Sequence, residues 1–165
     1  MPAARPPVQR VHPPRRLMKA INPIVRWRLR RRARGETSRR LMVLHVTGRR
    51  TGAPYRVPVG RQTVDGRLCA FTDGSWRHNL RGGADVEVTI DGKTKSARAE
   101  LEEDPGRIAR VFLDRIEEVG VAEASRALGI RVNVARSPTL HELRDAILRS
   151  GLSIVYVDVD EDGRS

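Results

Sequence analysis

One stretch of the sequence combines residue types that bind phosphate. Two glycines bracket a pair of arginines and a threonine in the run Thr47-Gly48-Arg49-Arg50-Thr51-Gly52. Glycine lets a backbone approach a ligand closely and exposes its amide donors, and the forked guanidinium of arginine matches phosphate oxygens. Arg49, Arg50 and Thr51 are therefore candidates for holding a phosphorylated ligand. Taken alone, the motif is more simply explained as a hairpin turn whose arginines face water.

A second stretch brings an indole, an imidazole and a carboxamide within four residues. It reads Asp73-Gly74-Ser75-Trp76-Arg77-His78-Asn79-Leu80. On a helical turn Trp76 and Asn79 lie on one face, where they would offer a flat wall and a hydrogen-bonding amide to a planar ring. The alternative makes Trp76 part of the core and Asn79 a helix cap. The four histidines of the chain show no metal-ligand spacing, so no metal site is expected.

Short apolar or alternating runs predict six β-strands around these motifs. They span residues 41–46, 55–64, 67–72, 86–90, 93–101 and 154–159. Asp65-Gly66 and Asp91-Gly92 predict tight hairpins, and six strands joined in this way are typical of a small antiparallel barrel. Pro58 has no N–H to donate, so it indicates an edge strand or a bulge.

Helix signals are concentrated late in the chain. Asp104-Pro105 combines an N-cap with a proline at the first helical position. Ser137-Pro138 predicts the start of another helix, which Gly151 would end. A short helix up to about Leu128 is expected between these two. The elements together predict an α+β fold in which helices flank the barrel.

Positive charge is concentrated at the N-terminus. The 165 residues include 32 basic and 20 acidic side chains, a net charge of +12. Residues 1–50 hold fifteen basic side chains and one acid, giving +14, whereas residues 51–165 hold 17 basic and 19 acidic ones, giving −2. We therefore divide the chain into a basic, partly disordered segment, 1–35, with a short amphipathic helix, and a folded domain, 36–165. The prolines of residues 1–14 predict an unstructured lead.

The basic segment suggests three kinds of partner: nucleic acid, an anionic membrane surface or a polyanionic ligand. Its expected helix would place apolar residues on one side and arginines on the other, as in helices that lie on lipid headgroups. The simpler alternative is that the apolar side covers the barrel edge. Nucleic acid is disfavoured, because the four Trp and Tyr residues are scattered and form no stacking platform. We expect a cytoplasmic protein, peripheral to the inner face of the cell membrane, without a transmembrane helix.

Taken together, the two motifs resemble the deazaflavin-dependent nitroreductase family. That family comprises small split β-barrel oxidoreductases that use coenzyme F420 and occur mainly in actinobacteria. The resemblance covers roughly residues 22–160. It implies an F420H2-dependent enzyme of the nitroreductase or quinone reductase type, which transfers a hydride from reduced deazaflavin to a small acceptor such as a quinone or nitro compound.

The resemblance also implies which residues bind the cofactor. They are Arg49, Arg50, Thr51, Arg56, Val57, Pro58, Thr72, Trp76 and Asn79. The arginine motif would hold the phosphate and anionic tail, Val57 and Pro58 would lie against the ring, and Trp76 with Asn79 would close the pocket. Relatives carry a basic residue directly after the first proline, where this chain has Tyr55 and then Arg56. Because a shift of one residue reverses the face of a strand, Arg56 need not contact the same phosphate.

Several alternatives stay open on the sequence alone. The same fold would serve a non-catalytic carrier of flavin, deazaflavin or haem, and flavin mononucleotide (FMN) or haem would replace F420 in such a protein. A basic nucleic-acid-binding protein is the alternative from another class. The sequence indicates no acid–base catalyst, does not identify the acceptor, and leaves open whether the protein is a homodimer.

Overall fold

A computed structural model describes residues 4–11 and 40–161, which divide into two compact units. A helical unit is formed by the described part of residues 1–13 together with 103–153, and a sheet unit by the described parts of 14–102 and 154–165. The amphipathic helix expected before residue 35 lies outside the described residues, as does the predicted boundary between 35 and 36.

The described strands and helices occur in the following order along the chain. The strands are β1 Val8–Arg10, β2 Leu41–Thr47, β3 Pro54–Gly60, β4 Gln62–Val64, β5 Arg67–Thr72, β6 Ala84–Ile90, β7 Lys93–Glu102, β8 Ile130–Val132 and β9 Ser153–Val159. The α-helices are α1 Pro105–Val119, α2 Val121–Leu128 and α3 Leu140–Ser150, and a 3₁₀ helix spans Ser75–Leu80. None of these helices is long and apolar enough to cross a membrane.

The sheet unit contains seven strands in the order β3-β2-β6-β7-β9-β5-β4. The strand predicted over residues 55–64 is in fact two strands, divided at Arg61, whose N–H donates to the carbonyl of Arg40 at 2.7 Å. β3 and β4 therefore occupy the two opposite edges of the sheet although a single residue joins them. The sheet must curl until its edges approach each other, and β3 does contact β5. This geometry confirms the α+β, split β-barrel fold.

Alternation along the strands determines what the sheet buries. Met42, Leu44 and Val46 of β2 point into an apolar cluster, where they meet Val86 and Val88 of β6. Twelve residues form this cluster, and Val57, Trp76 and five further apolar side chains pack against it: Leu68, Ala84, Ile90, Leu101 and Val159. Both predicted hairpins are present, since Asp65-Gly66 and Asp91-Gly92 adopt positive φ angles. Pro58 lies on the edge strand β3, as its missing N–H predicts.

The helical unit confirms one predicted helix start and corrects another. Asp104 caps α1, since its Oδ1 accepts from the N–H of Arg107 at 2.9 Å and a proline follows. The next predicted start, Ser137-Pro138, is two residues early, because Thr139 and Glu142 form a capping box that begins α3 at Leu140. Gly151 ends α3 in the left-handed conformation, as predicted.

The expectation of an unstructured lead is wrong for Val8–Arg10. These residues form β1, which pairs antiparallel with β8, so that Val8 lies opposite Val132. Val8 is only 1% exposed, and Arg10 donates to the carbonyls of Leu128 and Gly129 at 2.7 and 3.1 Å. Prolines exclude a helix here, but they do not prevent a short strand from adding to an edge.

Candidate functional site

The residues between β2 and β3 form a compact turn, which we call the arginine loop (Gly48–Ala53). Gly52 donates to the carbonyl of Gly48 at 2.9 Å, and Gly48 donates to the carbonyl of Ala53 at 2.8 Å. Gly52 has a φ of +67°, and a Cβ built there would meet no atom within 4 Å. The loop therefore has an open side at Gly52, and its two arginines are exposed.

The second motif forms the 3₁₀ helix and the turn before it. In this helix type, residues three apart are eclipsed, and the Asn79 amide donates to the carbonyl of Trp76 at 3.0 Å. Leu80 is fully buried, whereas Trp76 is only partly buried against the core cluster. Leu80 rather than Trp76 thus anchors the helix in the core, which leaves part of the indole accessible.

The turn before the helix holds the indole close to the backbone. Thr72 is buried at the end of β5, and its hydroxyl accepts from the N–H of Gly74 at 3.0 Å. A Cβ on Gly74 would lie 2.6 Å from the indole nitrogen of Trp76. A side chain at position 74 would therefore have to displace the indole, which lies directly against Gly74.

A direct hydrogen bond joins the two motifs, although thirty residues separate them. The backbone N–H of Arg49 donates to Oδ1 of Asn79 at 2.9 Å. The Arg49 guanidinium also donates to the carbonyl of Arg81, just past the helix, at 2.6 Å. No residue pattern indicates the Arg81 contact, because every residue type carries a backbone carbonyl that can accept a hydrogen bond.

Strand β3 separates the remaining predicted residues onto two faces. Val57 points to the core side, where Trp76 also packs. Arg56 and Pro58 point to the opposite side, and Arg56 pairs with His45 of β2. Val57 and Pro58 therefore cannot both lie with their side chains against one face of a ring, and Arg56 lies away from Val57.

A groove of about 750 Å³ lies beside Arg56 on the sheet unit. It is lined by His45, Val46, Thr47, Pro54, Tyr55, Arg56, Asp85, Val86, Glu87, Ser96, Ala97 and Asp160. Burial and the neighbouring Arg56 lower the pKa of His45, while Glu87 opposes them, and the ring nitrogen Nε2 lies 2.8 Å from the hydroxyl of Thr89. Three carboxylates make this groove a poor site for a polyanion.

The charge of the arginine loop is not neutralised within the described part of the chain. Many arginines there have acidic partners, for example Arg67 with Asp158 at 2.7 Å and Arg136 with Glu142 at 2.6 Å. Among residues 4–11 and 40–161, neither Arg49 nor Arg50 forms an ion pair. The loop can therefore supply uncompensated positive charge, together with exposed amide donors, to an anionic ligand.

A comparison with family models identifies the family. The model for F420H2-dependent quinone reductases matches residues 24–134, which include both motifs. The chain belongs to the F420H2-dependent quinone reductase family. Members of this family are oxidoreductases, and coenzyme F420 is the cofactor that membership assigns to the chain. The residues of the arginine loop fit this cofactor, because its phosphate and anionic tail need cationic and amide donors.

Similar solved structures were also found, at low sequence identity. A conserved hypothetical protein from Mycobacterium tuberculosis is 18% identical, with 74% of each chain covered and a TM-score of 0.43. A protein from Bacteroides thetaiotaomicron, proposed to confer 5-nitroimidazole antibiotic resistance, is 16% identical, with 93% of this chain and 84% of the other covered and a TM-score of 0.42. No curated protein matches the chain.

Proposed function

We propose that this quinone reductase family member binds reduced F420 where β3 faces β5 and passes a hydride to a small acceptor, a quinone or a nitro compound. The observation that carries the proposal is the hydrogen bond between Arg49 and Asn79, which joins the two motifs into one site. The family assignment supplies the cofactor. β3 and β5 contact each other where the barrel closes, and we call this line of contact the seam. The arginine loop directly precedes β3.

The arginine loop is assigned to the phosphate and anionic tail of the cofactor. Arg50 extends from an exposed loop, and Arg49 is held beside it by two hydrogen bonds. The Thr51 hydroxyl accepts from the N–H of Ala53 at 3.2 Å, which leaves its own proton for a phosphate oxygen. The open side at Gly52 gives a phosphate access to the backbone.

The ring of the cofactor is assigned to the core side of the seam. Val57 and Trp76 pack against the same apolar cluster, one from β3 and the other from the 3₁₀ helix. Thr72 lies at the end of β5, directly before the turn that holds the indole. These side chains would give the ring a dry wall, whereas Arg56 and Pro58 lie on the other face and are assigned no direct contact with it.

The cofactor supplies the hydride when it is bound, and the protein supplies position, exclusion of water and counter-charge. Binding is tested by titrating the purified protein with F420, FMN and haem in parallel. We expect F420 to bind tightest. Turnover is tested by following oxidation of reduced F420 with a quinone and with a nitro compound. Tight binding without turnover would favour the carrier alternative, and preference for FMN or haem would contradict the proposed cofactor.

We further propose that the basic N-terminal region brings the enzyme to anionic membranes, where quinones dissolve. Residues 1–35 hold eleven basic side chains and no acidic one, and each basic residue near an anionic surface contributes about 1 kcal/mol. Because β1 is part of the folded protein, the test must keep it. Replacing the six arginines of residues 26–34 with glutamine should sharply reduce sedimentation with anionic vesicles. Unchanged sedimentation would contradict the proposal.

A further inference from the structure

The Asn79 carboxamide is engaged at both ends within the protein. Its oxygen accepts from the backbone N–H of Arg49 at 2.9 Å, and its nitrogen donates to the carbonyl of Trp76 at 3.0 Å. One amide therefore ties the arginine loop to the 3₁₀ helix. Each end of the carboxamide can form one further hydrogen bond, but the two existing bonds fix the plane of the amide between the loop and the helix. Turning the amide towards a ring would break them.

We propose that Asn79 is a positioning residue: it clamps the arginine loop so that the loop can receive the cofactor's phosphate, and it does not bind the deazaflavin ring. This inference rests on the proposed function. It changes the role that the family resemblance assigns to Asn79, which is to close the ring pocket.

A clamp is needed because of how the loop is built. Internal hydrogen bonds close the turn at Gly48, Gly52 and Ala53, but the residues between the two glycines are exposed. Contacts outside the loop must therefore hold the turn against the 3₁₀ helix, and order that is present before a ligand arrives need not be formed on binding. Within the described part of the chain, two hydrogen bonds join the loop to the 3₁₀ helix region: the bond to Asn79 and the bond from the Arg49 guanidinium to the carbonyl of Arg81. Arg49 forms both bonds, so Arg49 is the residue that holds the loop against the 3₁₀ helix region.

The clamp gives the two arginines different roles. The Arg49 guanidinium is oriented by a backbone carbonyl at 2.6 Å. Among the described residues, Arg50 forms no such bond, and it directly follows Arg49 in the chain. Preorganisation of this kind improves affinity because the ordering is complete before the ligand arrives.

The test compares two cofactor forms on one variant, Asn79→Leu, which keeps the branched shape of the side chain but removes both hydrogen bonds. We expect its Kd for F420 to rise about tenfold or more. Its Kd for a phosphate-free deazaflavin riboside should change less than about twofold, since that molecule does not use the loop. Asn133→Leu is the matched control, because Asn133 also bridges backbone segments, donating to the carbonyl of Pro6 at 2.7 Å in the helical unit. The control should leave both Kd values unchanged.

The outcomes separate this inference from the proposed function. Equal weakening of both cofactor forms would show that Asn79 contacts the ring and would overturn the inference. Unchanged F420 binding in Asn79→Leu, with weakened binding in Arg50→Ala, would overturn the clamp while keeping the cofactor site. Unchanged binding in both variants would overturn the proposed site itself. Amide hydrogen exchange at Arg49 gives an independent measure, and we expect it to be faster in Asn79→Leu.

Discussion

Two arginine-containing regions of the sheet unit differ in how their charge is treated. On β5, Arg67 donates to Asp158 at 2.7 Å and to Glu100 at 3.0 Å, and its guanidinium lies 4.4 Å from the centre of the Tyr156 ring. In the arginine loop, the described contacts of Arg49 are with a backbone carbonyl and an amide, and neither arginine has a carboxylate partner. The first region is neutralised, whereas the second projects a positive field.

The difference matters because arginine is abundant throughout this chain. With 29 arginines among the 32 basic residues, the presence of an arginine says little about function. Arginines with a carboxylate partner hold strands together, whereas arginines without such a partner can bind an anion. Arg67 lowers the pKa of Asp158, and burial raises the pKa of Tyr156. The neutralised cluster thus has no charge to offer a polyanion.

Removing both loop arginines should weaken cofactor binding more than any other change. Each charge-assisted contact with the cofactor's phosphate or tail is worth roughly 1.5–3 kcal/mol, so Arg49→Ala with Arg50→Ala should raise the Kd for F420 by about a hundredfold or more. The salt dependence of binding should become weaker at the same time. Fluorescence titration of F420 at several salt concentrations measures both quantities.

Arg67→Ala is the matched control for this pair. It removes an arginine whose charge is already balanced, so we expect the F420 affinity to stay within about twofold of the wild type while the melting temperature falls. Equal losses of affinity in the two variants would show that the missing carboxylate does not distinguish the two regions.

The next effect concerns Arg10, whose guanidinium donates to two backbone carbonyls. Deleting residues 1–11 removes the buried Val8 and the bonds from Arg10 to the carbonyls of Leu128 and Gly129. We expect the free energy of unfolding to fall by about 2–4 kcal/mol, measured by urea denaturation. Glutamine at the six arginines of residues 26–34 is the control, since it alters charge and leaves β1 in place. No loss on deletion would contradict a structural role for β1.

The sequence predicted local features better than distant contacts. The Asp65-Gly66 and Asp91-Gly92 hairpins and the cap at Asp104 depend on neighbouring residues, and all are present. The division at Arg61 is missing from the predicted strand over residues 55–64, although Gly60 beside it is a residue type that often marks a bulge or bend in a strand. β1 was missed because three residues carry almost no periodic signal, and its partner β8 lies about 120 residues later.

In the candidate site, too, local motifs are easier to predict than contacts between distant residues. Both motifs are recognisable in the sequence. The family resemblance places them at one cofactor site, but it does not indicate that the Arg49 N–H donates to the Asn79 side chain. The separation of Arg56 from Val57 follows from strand alternation once Tyr55 is placed after the first proline. The Arg81 carbonyl was beyond prediction, since the sequence does not show where a backbone carbonyl points.

A substitution at Gly74 should have a smaller effect, and it changes no charge. Gly74 has a φ of −64°, which any residue adopts, but a Cβ there would lie 2.6 Å from the Trp76 indole nitrogen. Gly74→Ala should therefore displace the indole, shift the tryptophan emission and weaken F420 binding several-fold. A Cβ at Gly60 would meet nothing within 4 Å, so Gly60→Ala is the control. Unchanged F420 affinity in Gly74→Ala, despite a shifted emission, would remove Trp76 from the ring site.

The smallest effect tests a second neutralised arginine, Arg136, through its partner Glu142. Arg136 and the N–H of Thr139 lower the pKa of Glu142 to about 2, from an ordinary value of 4.5. Because the folded-state pKa is the lower one, ionised Glu142 stabilises the fold fully above about pH 4.5, and this contribution is lost as the pH falls through 2.

Glu142→Gln should therefore be less stable than the wild type at pH 7, and the difference should disappear towards pH 2. Urea denaturation at several pH values measures it, with Glu117→Gln as the control for removing an exposed carboxylate. A difference that does not change with pH would mean that the helix cap depends on hydrogen-bond geometry alone. Neutralisation of Arg136 by its carboxylate would then contribute no stability, and the contrast with the arginine loop would rest on ligand binding only.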